Sequence, residues 1–334
     1  MNTISKKKGN QMNRLKKTML TISLFALLAN VSMAQPVKVD EKIPKYKKTT
    51  GIKGNLNSIG SDTILNMMTL WAEGFQTIYP DVKIQIEGKG SSTAPPALIE
   101  GTAQIGPMSR KMKSKEIDAF EEKYGFEPLE LSTAMDALAV YVNKSNPIEG
   151  MTIPQVDAVF SKTRKHGYKD DISTWEQLDL KGVWNNKPIS IYGRNSASGT
   201  YGFFKDEALK KGDYKDEVKE QPGSASVVQS VSSDKYGIGY SGIGYKTSGV
   251  KAVSIAEEGG KYYAPNSDNV NSGNYPLSRF LYLYVAKKPN KEIDPLVKEF
   301  LKYVFSYEGQ QVVVKDGYLP LQYEVVGEQL QKLN

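Results

Sequence analysis

The sequence predicts an α/β fold of about two domains, and three observations carry that expectation. Four times, a strand-like stretch passes through a turn of Gly, Ser and Thr into a helix-like segment. Setting aside an N-terminal export signal leaves 300 of the 334 residues, enough for two domains of the usual ~150 residues. The chain also has no cysteine, so hydrophobic cores rather than disulfides must hold it together, and two domains of this size can supply them.

The first 34 residues read as the export signal. A basic start (Lys6, Lys7, Lys8, Arg14, Lys16, Lys17) precedes the apolar TMLTISLFALLANVSMA, with small residues Ser32 and Ala34 at cleavage-like positions. Either Met1 or Met12 as the start leaves a workable signal. The apolar run is shorter than the roughly 20 residues of a spanning helix, so cleavage near Ala34 is expected and no membrane insertion of the mature chain. Six basic residues and no acid precede position 35, so the formal charge of +7 falls to +1 for the remainder. No basic stripe stands out for a nucleic-acid partner, because lysines alternate with acids in KEIDAFEEK and KKGDYKDEVKE. An exported, cysteine-free chain has no thiol for a lipid tether and fits a bacterial periplasm.

The first strand–turn–helix unit is KGNLNSIGSDTILNMMTLWAEGFQTIYP. Its turn holds Ser61, Asp62 and Thr63, and Ile64, Met67, Met68, Trp71 and Phe75 follow at helical spacing as core. In the second, Val82, Ile84 and Ile86 alternate as in a strand; Ser91, Ser92 and Thr93 form the turn, and Pro95 and Pro96 sit where a first helical turn tolerates proline. The third is AQIGPMSRKMKSKEIDAFEEKYG, with Ser109 and Arg110 at the turn. The fourth runs from PISIY through Arg194, Ser198, Gly199 and Thr200 into a helix.

A lone hydroxyl at such a place usually only caps a helix. Four in one α/β chain point further, because strand C-termini and helix N-termini line the crevice where such folds bind ligands. Helix N-termini offer free N–H donors and partial positive charge, small residues let an anion approach the backbone, and hydroxyls add donors. Arg194 can donate two parallel hydrogen bonds to a tetrahedral oxyanion; the competing reading is a structural ion pair. Chemistry of other kinds finds few residues. His166 is the only histidine and sits in the polar KTRKHGYKDD, which leaves no Cys/His zinc site, no metal ligand set and no evident triad. No P-loop or nucleophile-elbow motif stands in a convincing context, and no cofactor or catalytic residue is expected.

The segments GSDT (60–63), GKGSSTAPPALIEGTAQIGPMSR (88–110), DALAVYVNKSNP (136–147), MTIPQVDAVFS (151–161), YGRNSASGTYGFF (192–204) and YGIGYSGIGYK (236–246) resemble the phosphate-binding proteins that serve phosphate ABC transporters. The R-x-x-x-S-G-T element is the most specific of them. The resemblance implies a two-lobed class II periplasmic-binding-protein fold, α/β throughout, with a hinge of two crossing segments. Lobe I would hold residues 36–138 and 275–334, and lobe II residues 139–274. DALAVYV (136–142) would be the first hinge strand and RFLYLYV (279–285) the strand that re-enters lobe I. Thr63, Ser92, Arg194, Ser198, Gly199 and Thr200 match positions whose family counterparts hold the ion. Ser61, Asp62, Ser91, Ser109 and Arg110 complete the expected ligand set.

Two departures bear on ion choice. Ser109 or Arg110 stands where many family members carry the acid that accepts the proton of hydrogen phosphate, and Ser196 replaces an acid two residues after the arginine. Asp62 is the expected substitute acceptor, with Asp136 next; Asp62 as a mere helix cap is the competing reading. The resulting expectation is a periplasmic monomer that captures inorganic phosphate and hands it to a membrane permease, without catalysis. The alternatives are another tetrahedral oxyanion such as sulfate or molybdate, a secreted phosphatase-like enzyme, or a scaffold using the fold without a ligand.

Overall fold

β1 (Gly54–Gly60) runs through a cap at Ser61, whose hydroxyl accepts from the Thr63 N–H, into a 3-10 turn and then α1 (Leu65–Ile78). The computed structural model describes residues 37–334; the export signal and the expected cleavage near Ala34 lie outside them. Ile64, Met67, Met68, Trp71 and Phe75 are all buried, as their spacing predicts, and each contributes about 1.5–3 kcal/mol by leaving water. β2 (Val82–Gly88) lies parallel to β1 in register Gly54↔Val82 to Gly60↔Gly88. It leads through Ser91–Thr93 into α2 (Ala94–Glu100), which has proline in its first turn and ends at Gly101 in the left-handed conformation. β3 (Gly106–Met108), α3 (Ser114–Tyr124) and β4 (Leu129–Ala137) follow.

The chain then enters a second sheet. β5 (Ala139–Asn143), β6 (Gly150–Thr152) and α4 (Ile153–Phe160), which opens with a Thr152/Gln155 capping box, lead to β7 (Ser190–Arg194) and α5 (Gly199–Glu207). Next come β8 (Lys219–Gln221), α6 (Ser224–Ser233), β9 (Gly237–Ser241), β10 (Val250–Ala252), β11 (Ser254–Ala256) and α7 (Ser267–Asn271). β12 (Ser278–Val285) returns to the first sheet, and α8 (Pro295–Val304), α9 (Tyr307–Lys315) and α10 (Tyr323–Lys332) complete the chain.

In the first region β12 pairs antiparallel with both β3 and β4, and a parallel bridge Ser58↔Ile105 joins the β1–β2 pair to the start of β3. The second sheet has the order β10-β5-β9-β7-β8, with β7 parallel to both β8 and β9. β6 and β11 form a separate parallel pair. Two large cores accompany the sheets. One joins Leu56, Trp71 and Phe75 to Leu281, Phe300 and Val313; the other joins Val140, Phe160 and Trp175 to Phe204, Tyr240 and Leu277. The chain passes from the first core to the second between Ala134 and Ala137 and returns between Leu277 and Leu281.

The expected strand DALAVYV is broken at Leu138. Its first part pairs with β12 and its second with β9, and between them the Leu138 N–H donates to the Leu277 carbonyl at 2.9 Å. Periodicity cannot show such a change of partner, because both halves are apolar and buried.

Candidate functional site

The turns after β1, β2, β3 and β7 meet between the two sheets, joined by the turn after β8, which the sequence reading passed over. Thr63 Oγ1 and Thr200 Oγ1 lie 2.7 Å apart across the contact. The Ser92 N–H donates to the Ala197 carbonyl at 3.1 Å. Ser61 Oγ donates to Ser109 Oγ at 3.1 Å, Ser91 Oγ lies 3.2 Å from Ser109 Oγ, and the Ser109 N–H donates to Ser91 Oγ. Ser198 caps α5, accepting from the N–H groups of Thr200 and Tyr201. Gly199 faces the serines at close quarters: a Cβ there would stand 2.2 Å from Ser91 Oγ and 2.6 Å from Ser109 Oγ. Ser61, Thr63, Ser91, Ser109, Ser198, Gly199 and Thr200 are all buried, while Asp62 and Ser92 are half-buried.

Arg194 is 2 % exposed. Its Nη1 donates to Ser224 Oγ at 2.6 Å and pairs with Asp62 Oδ1 at 2.9 Å, and Nη2 donates to the Pro222 carbonyl. Its Nε–H finds no acceptor among the described residues. Burial lowers the guanidinium's pKa from its ordinary value, and the attraction of Asp62 only partly opposes this. A buried donor without a partner is costly, so an acceptor reaching Arg194 gains the whole of that bond.

Asp62 supplies the carboxylate of the structural ion pair that was the competing reading of Arg194. Ser61, not Asp62, caps the turn, and Asp62 Oδ1 accepts both the Arg194 pair and the Ser224 N–H at 2.8 Å. Asp136, fully buried, accepts from Ile243 N–H through Oδ1 and from Arg279 Nε and Nη2 through Oδ2. Each of the three buried arginines is matched by one carboxylate, Arg194 by Asp62, Arg279 by Asp136 and Arg110 by Glu116. An anion held here would rest on hydroxyls, N–H dipoles and the free Nε–H rather than on surplus positive charge.

Arg110 is drawn to one side. Its two terminal nitrogens bind Glu116 in a fork at 2.7 Å each and also donate to the Lys111 carbonyl and Ser92 Oγ. Burial raises the Glu116 pKa, but hydrogen bonds from Arg110 outweigh it and hold the carboxyl below its ordinary range. The guanidinium is thereby engaged in closing the start of α3. His166 sits in a turn, its backbone N–H on Asp157 and its ring beside the Glu207 carbonyl at 3.1 Å.

A family model described as a PBP superfamily domain matches residues 47–308. The phosphate-binding protein PstS of Pseudomonas aeruginosa is 56% identical over 322 residues, spanning 96% of this chain and 99% of that protein. This chain belongs to the PBP superfamily. The phosphate-binding protein PstS of Staphylococcus epidermidis is 30% identical over 78% of this chain and 77% of its own length. Among solved structures, a candidate phosphate ABC transporter substrate-binding protein from Clostridium perfringens with bound phosphate superposes with a TM-score of 0.67 at 26% identity, over 80% of this chain and 100% of that one. The two-lobed periplasmic-binding-protein fold expected from the sequence is the fold of the superfamily.

Within this PBP fold, four residues at the site escaped the sequence reading. Ser224 stands at the start of α6 after QPG, a fifth turn of the same kind that the pattern could have disclosed. Arg279 is a lone charge in the apolar strand SRFLYLYV, which signals a buried partner without saying which. Tyr245 Oη donates to the Asp62 carbonyl at 2.9 Å and Tyr318 Oη to the Thr63 carbonyl at 2.7 Å, so two tyrosines hold successive carbonyls of the first turn. Burial raises both phenol pKa values, which keeps them donors.

Tyr318 packs on the glycines of 242–244, beside Asp316. Burial pushes the Asp316 carboxyl up to about 7, so the folded chain retains a proton that the unfolded chain has lost. This contribution to stability is therefore full below the unfolded value of about 4 and is lost as pH rises toward 7. Asp316→Asn should melt above the unmodified protein at pH 8 and level with it near pH 4, read by thermal unfolding across that range. Parallel curves would contradict the sign.

Proposed function

We propose that this protein captures inorganic phosphate in the periplasm and delivers it to an ABC-type permease, binding the ion without transforming it. The observation that carries the reading is Arg194, buried with a free Nε–H in a cluster of hydroxyls drawn from four strand-to-helix turns. The P. aeruginosa and S. epidermidis PstS proteins are named for binding phosphate, and the C. perfringens structure holds it. Ser61, Thr63, Ser91, Ser109, Arg194, Ser198, Gly199 and Thr200 form the ligand shell of this proposal, with Ser92 at its edge. Arg110, engaged by Glu116, acts as a support.

Asp62 is the better acceptor for the proton of hydrogen phosphate. Both oxygens of Asp136 are taken, by Ile243 N–H and Arg279, whereas the bonds to Asp62 fall on Oδ1. Sulfate brings no proton, and a carboxylate facing it repels. The two bodies that close on the ion are residues 36–138 with 275–334 and residues 139–274, turning about the crossings next to β4 and β12. The mature chain acts as a monomer. Isothermal titration of phosphate-stripped protein should give one phosphate per chain with sulfate far weaker; equal affinity for the two would move the assignment to tetrahedral oxyanions in general.

A further inference from the structure

Arg279 lies on β12 directly across from Asp136 on β4, at the point where the returning chain pairs with the departing one. It is 5 % exposed and spends every nitrogen: Nε and Nη2 on Asp136 Oδ2, Nη1 on the Ser109 carbonyl at 2.8 Å, and Nη2 also on Thr200 Oγ1 at 2.9 Å. Its guanidinium carbon stands 5.1 Å from the centre of the Phe203 ring, also on α5. A residue of the first sheet thus grips α5 of the second region at two places, while the strand on which it sits forms the return crossing.

The bond to Thr200 has a consequence for proton placement. Thr63 and Thr200 share one hydrogen across 2.7 Å, and each hydroxyl has one proton and two lone pairs. Arg279 has no acceptor capacity, so it always occupies one lone pair of Thr200. If Thr63 donates to Thr200, both lone pairs of Thr200 are filled and its proton is free to point elsewhere. If Thr200 donates to Thr63, the Thr63 proton is free. In either arrangement the pair offers one O–H outward, and a cationic donor on Thr200 strengthens that O–H through the chain.

We propose that Arg279 is a positioning residue for anion capture, which orients and polarises the Thr63–Thr200 hydroxyl pair as a hydrogen donor to the bound oxyanion and ties that donor to closure of the two lobes. The inference rests on the phosphate-binding reading above.

A double-mutant cycle with inorganic phosphate tests it: the unmodified protein, Arg279→Gln, Thr200→Val and the double variant, each titrated calorimetrically. Arg279→Gln should weaken binding about tenfold or more alone, yet by less than about threefold when Thr200 is already valine, because the charge then has no hydroxyl to act through. Equal losses in both backgrounds overturn the inference and leave Arg279 a structural partner of Asp136, the Ser109 carbonyl and Phe203. If glutamine beside the buried Asp136 prevents folding, Arg279→Lys enters the same cycle. It keeps the charge without the fork, so the expected result is a smaller loss that again vanishes in the valine background, and an undiminished loss there overturns the inference. An unmodified protein that shows no phosphate binding overturns this inference and the functional reading together; one that binds while the cycle is additive overturns this inference alone.

Discussion

Arg194→Lys should bind phosphate about a hundredfold more weakly than the unmodified protein, although the formal charge is unchanged. The guanidinium makes three contacts at once, to Ser224, Asp62 and Pro222, and still has its Nε–H to give. A lysine ammonium replaces that plane of donors with a single centre that cannot hold Asp62 and Ser224 while also reaching an ion. Charge-assisted bonds are worth about 1.5–3 kcal/mol each, so the loss of one or two accounts for the size of the effect. Isothermal titration measures it, and thermal unfolding without phosphate shows how much of the change belongs to the pair with Asp62. An unchanged dissociation constant would leave Arg194 a structural partner of Asp62 and nothing more.

Gly199→Ala should separate closure from folding. Gly199 is the first residue of α5 and its φ lies outside the left-handed region, so alanine suits its backbone and the second region should fold as well as before. The added carbon would meet Ser91 Oγ at 2.2 Å and Ser91 Cβ at 2.8 Å. Rotation about χ1 moves the serine hydroxyl but not its Cβ, so the turn after β2 must withdraw from α5. Overpacking of this kind costs about 1–3 kcal/mol, which corresponds to roughly five- to 150-fold in phosphate affinity. Small-angle scattering should show the unmodified protein contracting on phosphate and the variant failing to do so, with its melting temperature not reduced. A variant that contracts and binds like the unmodified protein would remove Gly199 from the contact between lobes.

The neighbouring glycines explain why such small residues gather here. A Cβ on Gly90, which has φ of +112°, would lie 2.5 Å from the Ala197 carbonyl oxygen, and one on Gly244 would lie 2.5 Å from the Tyr318 ring. Backbone meets backbone or ring at each of these places, so the glycines of GKGSST and GIGY serve the contact between lobes as much as any ion.

Much of this could be read from local chemistry. The alternation of Val82, Ile84 and Ile86, the helical spacing from Ile64 to Phe75, and hydroxyls beside glycine before α1, α2 and α5 act within about a dozen residues, and the chain carries them in its order. Arg194 and the S-G-T turn after it stood out for the same reason, since strand, charge and helix start are contiguous. Tertiary structure alone decided which groups meet. Asp62 and Ser224 are 162 residues apart, Thr63 and Thr200 137, and Arg279 and Asp136 143. Arg194 finds Asp62 where strand ends of the two regions are brought together, and Arg279 finds Asp136 through the register of β12 on β4; periodicity has no term for either. Arg110, an equal candidate beside Ser109 in the sequence, turns instead to Glu116 six residues on, in a fork of two 2.7 Å bonds at the start of α3, a local pairing that the sequence could have disclosed. A charge taken out of water must be matched by whatever lies within hydrogen-bonding reach, and that reach is set by packing rather than by position in the chain.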